Sequence, residues 1–202
     1  MGRLAGSPTV QTLSVMVVVF VFQQATALVG LMGFFFVLGP TFPLRPWSLV
    51  TSIYAHGGAL HLLSNALMLA LVGLIIEQST TRVRYHAFFI TTGVLSGLAQ
   101  VILTGGRVLG ASAAIFALLG YLVASNAVSS SVLDRLRLSQ RAQLAVFAVL
   151  AVVVTLFTGA PGVALVAHFT GFLLGLLTGR LGVLEVREPR DRTQVTSGPP
   201  GY

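Results

Sequence analysis

The sequence predicts an all-α membrane protein, a polytopic bundle of about six transmembrane helices. Hydrophobic residues make up 55% of the 202 residues and charged residues only 8%, whereas a soluble domain carries about 25% charged residues. Apolar runs of about 20 residues recur along the chain, and each is long enough to cross the hydrocarbon core of a bilayer. A membrane β-barrel would instead show alternating segments of about ten residues. We therefore expect an integral membrane protein whose main neighbour is the lipid bilayer.

The first predicted span runs roughly from Leu13 to Leu38, which is too long for the apolar part of a signal peptide. The segment from Gly39 to Gly58 contains prolines, Arg45, Trp47 and other polar residues. Trp and Tyr favour the headgroup level, so this segment is predicted to be an interfacial loop that lies partly in the membrane. The remaining predicted spans are approximately Ala59–Ile76, Tyr85–Leu103, Gly110–Ala127, Ala142–Phe157 and Val163–Leu181.

The positions of the arginines predict that both termini are cytoplasmic. Cytoplasmic loops collect positive charge, and this orientation leaves only Arg45 and Arg107 of the twelve arginines outside. It gives a cytoplasmic N-terminus at 1–12, a membrane domain at 13–183 and a cytoplasmic, disordered tail at 184–202. The net charge is +7, but membrane topology explains it, so no nucleic-acid partner is expected. The lack of lysine suggests a GC-rich genome and a prokaryotic cell membrane.

Strongly polar residues inside three spans are candidates for function, because such residues are costly in lipid. They are His61 and Asn65 in the second span, Ser112 in the fourth and His168 in the sixth. His61 and Asn65 are four residues apart and share one helical face. Each residue alone also fits helix packing or capping. In the predicted topology, however, all four lie near the outer ends of their spans, where one pocket could hold them.

Ser112 and His168 have the chemistry of a catalytic pair. A serine hydroxyl becomes a good nucleophile when an adjacent base takes its proton. Gly171 and Gly175 give a GxxxG spacing on the His168 face, which permits close helix contact. The acidic residues of the chain all map to the cytoplasmic side. A hydrolase built on these residues would therefore use a Ser–His dyad without a third, acidic member.

A histidine metal site is the rival chemistry. His56, His61 and His168 could in principle bind zinc, but the spacing of five between the first two turns their rings apart on a helix. No carboxylate accompanies them, and the HExxH motif is absent. The chain has no cysteine, so a thiolate site and a cysteine nucleophile are excluded. We expect no metal and no cofactor.

Taken together, these motifs resemble the rhomboid family of intramembrane serine proteases, over roughly residues 10 to 183. The spans between the motifs also agree in number with that family. The motifs that carry the resemblance are Gly110-Ala111-Ser112 at the start of a span, His168 followed by Gly171 and Gly175, and the run of His56, His61 and Asn65.

The resemblance implies catalytic roles. Ser112 would be the nucleophile, and His168 the general base and later the general acid. His61, Asn65 and the backbone amide of Ser112 would form the oxyanion hole, and Gly110 would allow a tight turn before the nucleophile.

The resemblance also implies supporting roles and a class of substrate. His56 would support the interfacial loop and the access of water, Phe116 would stack on the catalytic histidine, and Glu77 would fix the inner end of the second span. The substrates would be membrane-embedded, single-span proteins with a locally unwound helix. The alternatives are a non-catalytic rhomboid-like protein that binds membrane clients and, third, a transporter.

Three positions depart from the family pattern. Ala113 stands where glycine usually follows the nucleophile, Ser48 follows Trp47 where arginine is frequent, and Phe116 replaces a common tyrosine. Ala113 adds a methyl group beside the expected nucleophile, but alanine is still small, so we expect activity to be retained. Phenylalanine can stack on a histidine as tyrosine does.

Overall fold

The structure is a computed structural model that describes residues 6–125 and 164–186, together with the single positions 139, 142, 145 and 149. The described residues form seven α-helices, and the prediction of an all-α protein is confirmed for them. In chain order the helices are α1 (Pro8–Leu28), α2 (Met32–Phe36), α3 (Ser48–Tyr54), α4 (Ala59–Ile76), α5 (Arg82–Thr104), α6 (Ser112–Ala124) and α7 (Leu165–Arg180).

Three of these helices are long and apolar enough to cross a membrane: α1, α5, and α4 with the 3₁₀ turn that continues it to Ser79. Helices α6 and α7 are also apolar but shorter, with 13 and 16 residues. Each of these five helices overlaps one of the predicted spans. The other predicted span, Ala142–Phe157, lies outside the described residues, so the total of about six remains a prediction.

Helix α1 corrects the limits of the predicted first span, Leu13–Leu38. The hydroxyl of Ser7 caps the start of the helix, and Pro8 takes the first helical position, where its missing N–H costs nothing. The helix ends at Leu28, and Gly30 then adopts a φ of +72°, a conformation that glycine accepts without strain. The apolar character of the sequence continues through this break and therefore did not reveal it.

The predicted interfacial loop is a folded segment held against α2. It contains a 3₁₀ turn, Phe42–Leu44, and helix α3. The ring of Trp47 lies 5.3 Å from that of Phe34. An antiparallel bridge between Leu38 and Val108 ties the start of the segment to the loop that precedes α6. The two loops that lead into α4 and α6 are therefore parts of one structure.

Helix α6 is the central helix of the described bundle. It contacts α4, α5 and α7, and eight of its 13 residues are buried. After α7 the chain folds back, so that Leu184 is fully buried and its N–H donates to the hydroxyl of Tyr121 at 3.1 Å. Leu184 is therefore packed against the end of α6. The domain limits at 12 and 183 stay predictions.

Candidate active site

The nucleophile candidate is the first residue of α6. Before it, Gly110 adopts a φ of +125°, which favours glycine, and its N–H donates to the Ser52 carbonyl of α3 at 2.8 Å. A Cβ on Gly110 would stand 2.9 Å from Cε1 of His61. Glycine is therefore needed here both for the backbone turn and for the space that the imidazole of His61 occupies.

Ser112 and His168 are in direct contact. Nε2 of His168 lies 2.6 Å from Oγ of Ser112, and the side chain of His168 is buried. Nδ1 of His168 is buried and has no hydrogen-bond partner among the described residues. If the hydroxyl of Ser112 donates to Nε2, the neutral ring must carry its proton on Nδ1. The geometry is that of a serine with an adjacent base and no acidic group on the other ring nitrogen.

The contact is possible because the backbones of α6 and α7 touch. A Cβ on Gly171 would lie 2.1 Å from the Ala113 carbonyl oxygen, and one on Gly175 would lie 2.1 Å from that of Ala117. No side chain fits at such distances. The predicted GxxxG pair thus lies on the face of α7 that meets α6, as does His168.

Phe116 lies one helical turn below Ser112 and covers one face of the His168 ring. The two ring centroids are 4.7 Å apart and the planes are inclined by 22°. Such a stacked pair restricts rotation of the imidazole and contributes about 0.5–1.5 kcal/mol beyond simple burial. Phe116 therefore holds His168 in the orientation that reaches Ser112.

His61 approaches the same place from α4. A Cβ on Gly110 would stand 3.1 Å from Nε2 of His61 and 3.8 Å from Oγ of Ser112. Nδ1 of His61 accepts a hydrogen bond from the Gly57 N–H at 3.3 Å. The structure therefore brings His61 close to Ser112, at the start of α6.

His56 lies in the loop between α3 and α4 and is fully buried. Nδ1 of its ring donates to the Tyr54 carbonyl at 3.1 Å, and the ring meets that of His61 edge to face, with centroids 5.1 Å apart. Burial and, second, the nearby His61 lower the pKa of His56 to about 4. His56 is therefore neutral at physiological pH and packs behind His61.

Asn65 is buried on α4, one turn after His61. Its Nδ2 donates to the His61 carbonyl at 2.9 Å. This bond uses one of the two amide protons, and the second proton remains for another acceptor. Asn65 thus lies on the predicted face, but the hydrogen bond it makes is to its own helix rather than to Ser112 or His168.

Glu77 lies away from the serine, at the other end of α4. Its Oε2 accepts hydrogen bonds from Oγ of Ser7 at 2.7 Å and from the Thr9 N–H at 3.1 Å. The carboxylate therefore joins the end of α4 to the start of α1.

Two glutamines near the site were missed by the sequence analysis. Oε1 of Gln100, on α5, accepts a hydrogen bond from the N–H of Ala167 at 3.1 Å and so satisfies an amide in the first turn of α7, next to His168. Gln23, on α1, bonds the backbone of His56. Both lie inside long apolar helices, where a primary amide is costly unless it is hydrogen-bonded. The cost of placing an amide inside an apolar helix was the signal by which the sequence could have identified these two glutamines.

Comparison with known proteins shows the family of this chain. The rhomboid domain family matches residues 43–185. The chain belongs to the rhomboid family. It is 31% identical over 159 residues to RHOMBOID-like protein 5 of Arabidopsis thaliana, covering 77% of this chain and 50% of that protein. RHOMBOID-like protein 7 of the same plant is 28% identical over 154 residues, covering 76% and 48%.

The rhomboid family includes intramembrane serine proteases, and the apolar helices of this member fit an integral membrane protein. This rhomboid spans about half the length of those two plant relatives. The matched region begins at residue 43 and therefore includes α3 to α7 but not α1 or α2.

Proposed function

We propose that this rhomboid is an intramembrane serine endopeptidase that cleaves single-span membrane proteins within or near the bilayer. The observation that carries the proposal is the 2.6 Å contact between Nε2 of His168 and Oγ of Ser112. A serine hydroxyl in contact with a buried imidazole is the minimum required for acyl transfer. The stacked ring of Phe116 and the close packing of α6 on α7 support it, because both preserve the contact.

In the proposed reaction, Ser112 gives its proton to Nε2 of His168 and attacks the carbonyl carbon of the scissile peptide. The resulting oxyanion accepts hydrogen bonds from His61 and from the backbone N–H of Ser112, with Asn65 contributing its second amide proton. His168 then protonates the leaving amine, which departs and leaves an acyl-enzyme. A water molecule, deprotonated by His168, releases the second product and restores Ser112.

The substrate backbone must be unwound where it is cut, because the peptide groups of an intact helix are already hydrogen-bonded to one another and shielded. We propose that both termini face the cytoplasm, so that the Ser112 end of α6 opens toward the outer side. Membrane proteins with a helix-destabilising segment near that side are the expected substrates.

The test combines active-site labelling with cleavage. Wild-type protein in detergent is expected to react with a fluorophosphonate probe and to cut a generic single-span substrate in liposomes. Ser112→Ala and His168→Ala should each abolish cleavage, and Ser112→Ala should abolish labelling. Ser14→Ala is the matched control, because Ser14 is exposed on α1, and it should behave as wild type.

Cleavage by Ser112→Ala at the wild-type rate would contradict the assignment of the nucleophile. If the folded wild type neither reacts with the probe nor cuts any substrate, the non-catalytic alternative, a membrane protein that binds clients, would replace the protease.

A further inference from the structure

Gln23 is a buried polar side chain in an otherwise apolar helix. It is 1% exposed, and both ends of its amide are engaged by a single residue. Nε2 donates to the His56 carbonyl at 2.6 Å, and Oε1 accepts from the His56 N–H at 2.9 Å. A buried amide is tolerated when it is hydrogen-bonded, so α1 carries a group that suits one stretch of backbone in the loop before α4.

The carbonyl that Gln23 binds belongs to the peptide that joins His56 to Gly57. The peptides of the described chain are all trans, so the carbonyl and the N–H of this unit point in opposite directions. Its N–H donates to Nδ1 of His61 at 3.3 Å. One rigid peptide group therefore connects the amide of Gln23 on one side to the imidazole of His61 on the other. A donor on the carbonyl also polarises the peptide and strengthens its N–H as a donor.

This connection decides which nitrogen of His61 carries the proton. A neutral imidazole has one N–H and one bare nitrogen, and Nδ1 accepts from Gly57. The proton must then be on Nε2. This nitrogen is the one near Ser112, because a Cβ on Gly110 would stand 3.1 Å from Nε2 and 3.8 Å from Oγ of Ser112. The opposite tautomer would turn a lone pair toward the nucleophile and would repel a developing oxyanion.

We propose that Gln23 is a positioning residue that sets the tautomer and orientation of His61 through the His56–Gly57 peptide. The catalytic part of this proposal rests on the protease function proposed above, and the tautomer itself does not. Gln23 touches no reacting atom. Its loss should therefore change turnover rather than the binding of substrate, because His61 would donate to the oxyanion less well.

Nitrogen NMR of the imidazoles reads the tautomer directly. The chain has four histidines, and protein labelled with ¹⁵N-histidine and compared with His61→Ala identifies the His61 signals. Wild-type His61 should show the Nε2–H tautomer. Gln23→Met removes the amide but keeps the length of the side chain, and it should give a mixture of tautomers. Gln24→Met, at the exposed neighbouring position, is the control and should leave the His61 signals unchanged.

Kinetics supply the second measurement. Loss of one oxyanion donor typically lowers kcat by 10²–10³, so a misdirected donor in Gln23→Met should lower kcat by about tenfold. KM should stay within about twofold of the wild-type value, because uniform binding is not affected. Gln24→Met should match the wild type in both constants.

The outcomes separate the two proposals. A wild-type His61 with its proton on Nδ1 would overturn the role of Gln23, even if Gln23→Met does not fold. The same conclusion follows if Gln23→Met leaves both the His61 signals and kcat unchanged while the wild type cuts its substrate. If the wild type cuts nothing, the protease proposal and the catalytic role of Gln23 are both wrong, and the His61 signals still decide whether Gln23 sets the tautomer.

Discussion

The contact between α6 and α7 differs sharply from the outward face of α4. Between α6 and α7 the backbones touch, and a Cβ on Gly120 would stand 2.3 Å from the Phe172 carbonyl oxygen. On α4, Leu60 and Leu67 are 79% and 60% exposed. Lipid tails are as apolar as leucine, so such a face needs no protein partner in a membrane. One region is defined by backbone contact, and the other by exposed leucines that suit contact with lipid.

The difference between these two regions shows how the parts of the site are positioned, with Ser112 and His168 on one side and His61 on the other. Ser112 and His168 stand on the two touching helices, so the backbone itself fixes their separation. His61 stands on α4, whose other face is open, and its ring is held by a hydrogen bond from the Gly57 N–H. The proposed nucleophile and base should therefore be sensitive to added bulk, and the proposed oxyanion hole to the loss of polar groups.

Gly175→Ala should have the largest effect. Its methyl group would meet the Ala117 carbonyl oxygen at 2.1 Å, which forces α6 and α7 apart and separates Ser112 from His168. Overpacking of this kind typically costs on the order of 1–3 kcal/mol, and cleavage should fall below detection. Thermal unfolding and substrate cleavage measure the two effects. Gly33→Ala is the control, since nothing lies within 4 Å of a Cβ there. Wild-type activity in Gly175→Ala would show that the backbone contact between α6 and α7 does not fix the separation of Ser112 and His168.

His61→Ala should have an intermediate effect. Removal of one oxyanion donor should lower kcat by about 10²-fold and leave KM nearly unchanged, because the donor acts on charge that develops in the transition state. Asn65→Ala should lower kcat less, since one of its amide protons is bonded to the His61 carbonyl. Steady-state kinetics on one substrate compare the two variants. A change confined to KM would instead make these residues binders of ground-state substrate.

Leu67→Ala should have the smallest effect. Leu67 is exposed on α4, and surface changes away from packed features usually alter stability by less than about 0.5 kcal/mol. Cleavage in liposomes should stay within about twofold of the wild-type rate by the same argument. A loss of activity as large as that of His61→Ala would show that this face of α4 takes part in the reaction.

Most of the helices could be predicted because apolar runs and their limits are local signals. The second predicted span, Ala59–Ile76, has the limits of α4, since Gly58 and Glu77 mark its ends. The first span was extended too far, because the residues that follow Leu28 are as apolar as a transmembrane helix although they form a turn and the short helix α2. Hydropathy alone does not distinguish an apolar segment that forms a transmembrane helix from one that forms a turn and a short helix.

The site was partly predictable for a similar reason. Polarity inside spans identified His61, Asn65, Ser112 and His168, and the structure brings Ser112 and His168 into contact. Hydrogen bonds between segments that are far apart in the sequence produce no local sequence pattern. The bond from Gln23 to His56 crosses 33 positions and that from Ala167 to Gln100 crosses 67. Which carbonyl or amide a buried glutamine meets depends on how the helices pack, and no pattern in the sequence specifies that.

The hydrogen bonds between Glu77 and the start of α1 bear on how this rhomboid could be shortened. The region that matches the rhomboid domain family begins at residue 43, and a version of the chain cut there would omit α1. The carboxylate of Glu77 would then lose the donors at Ser7 and Thr9, and the loop at His56 would lose Gln23. The region that matches the rhomboid domain family is therefore smaller than the unit that these hydrogen bonds hold together.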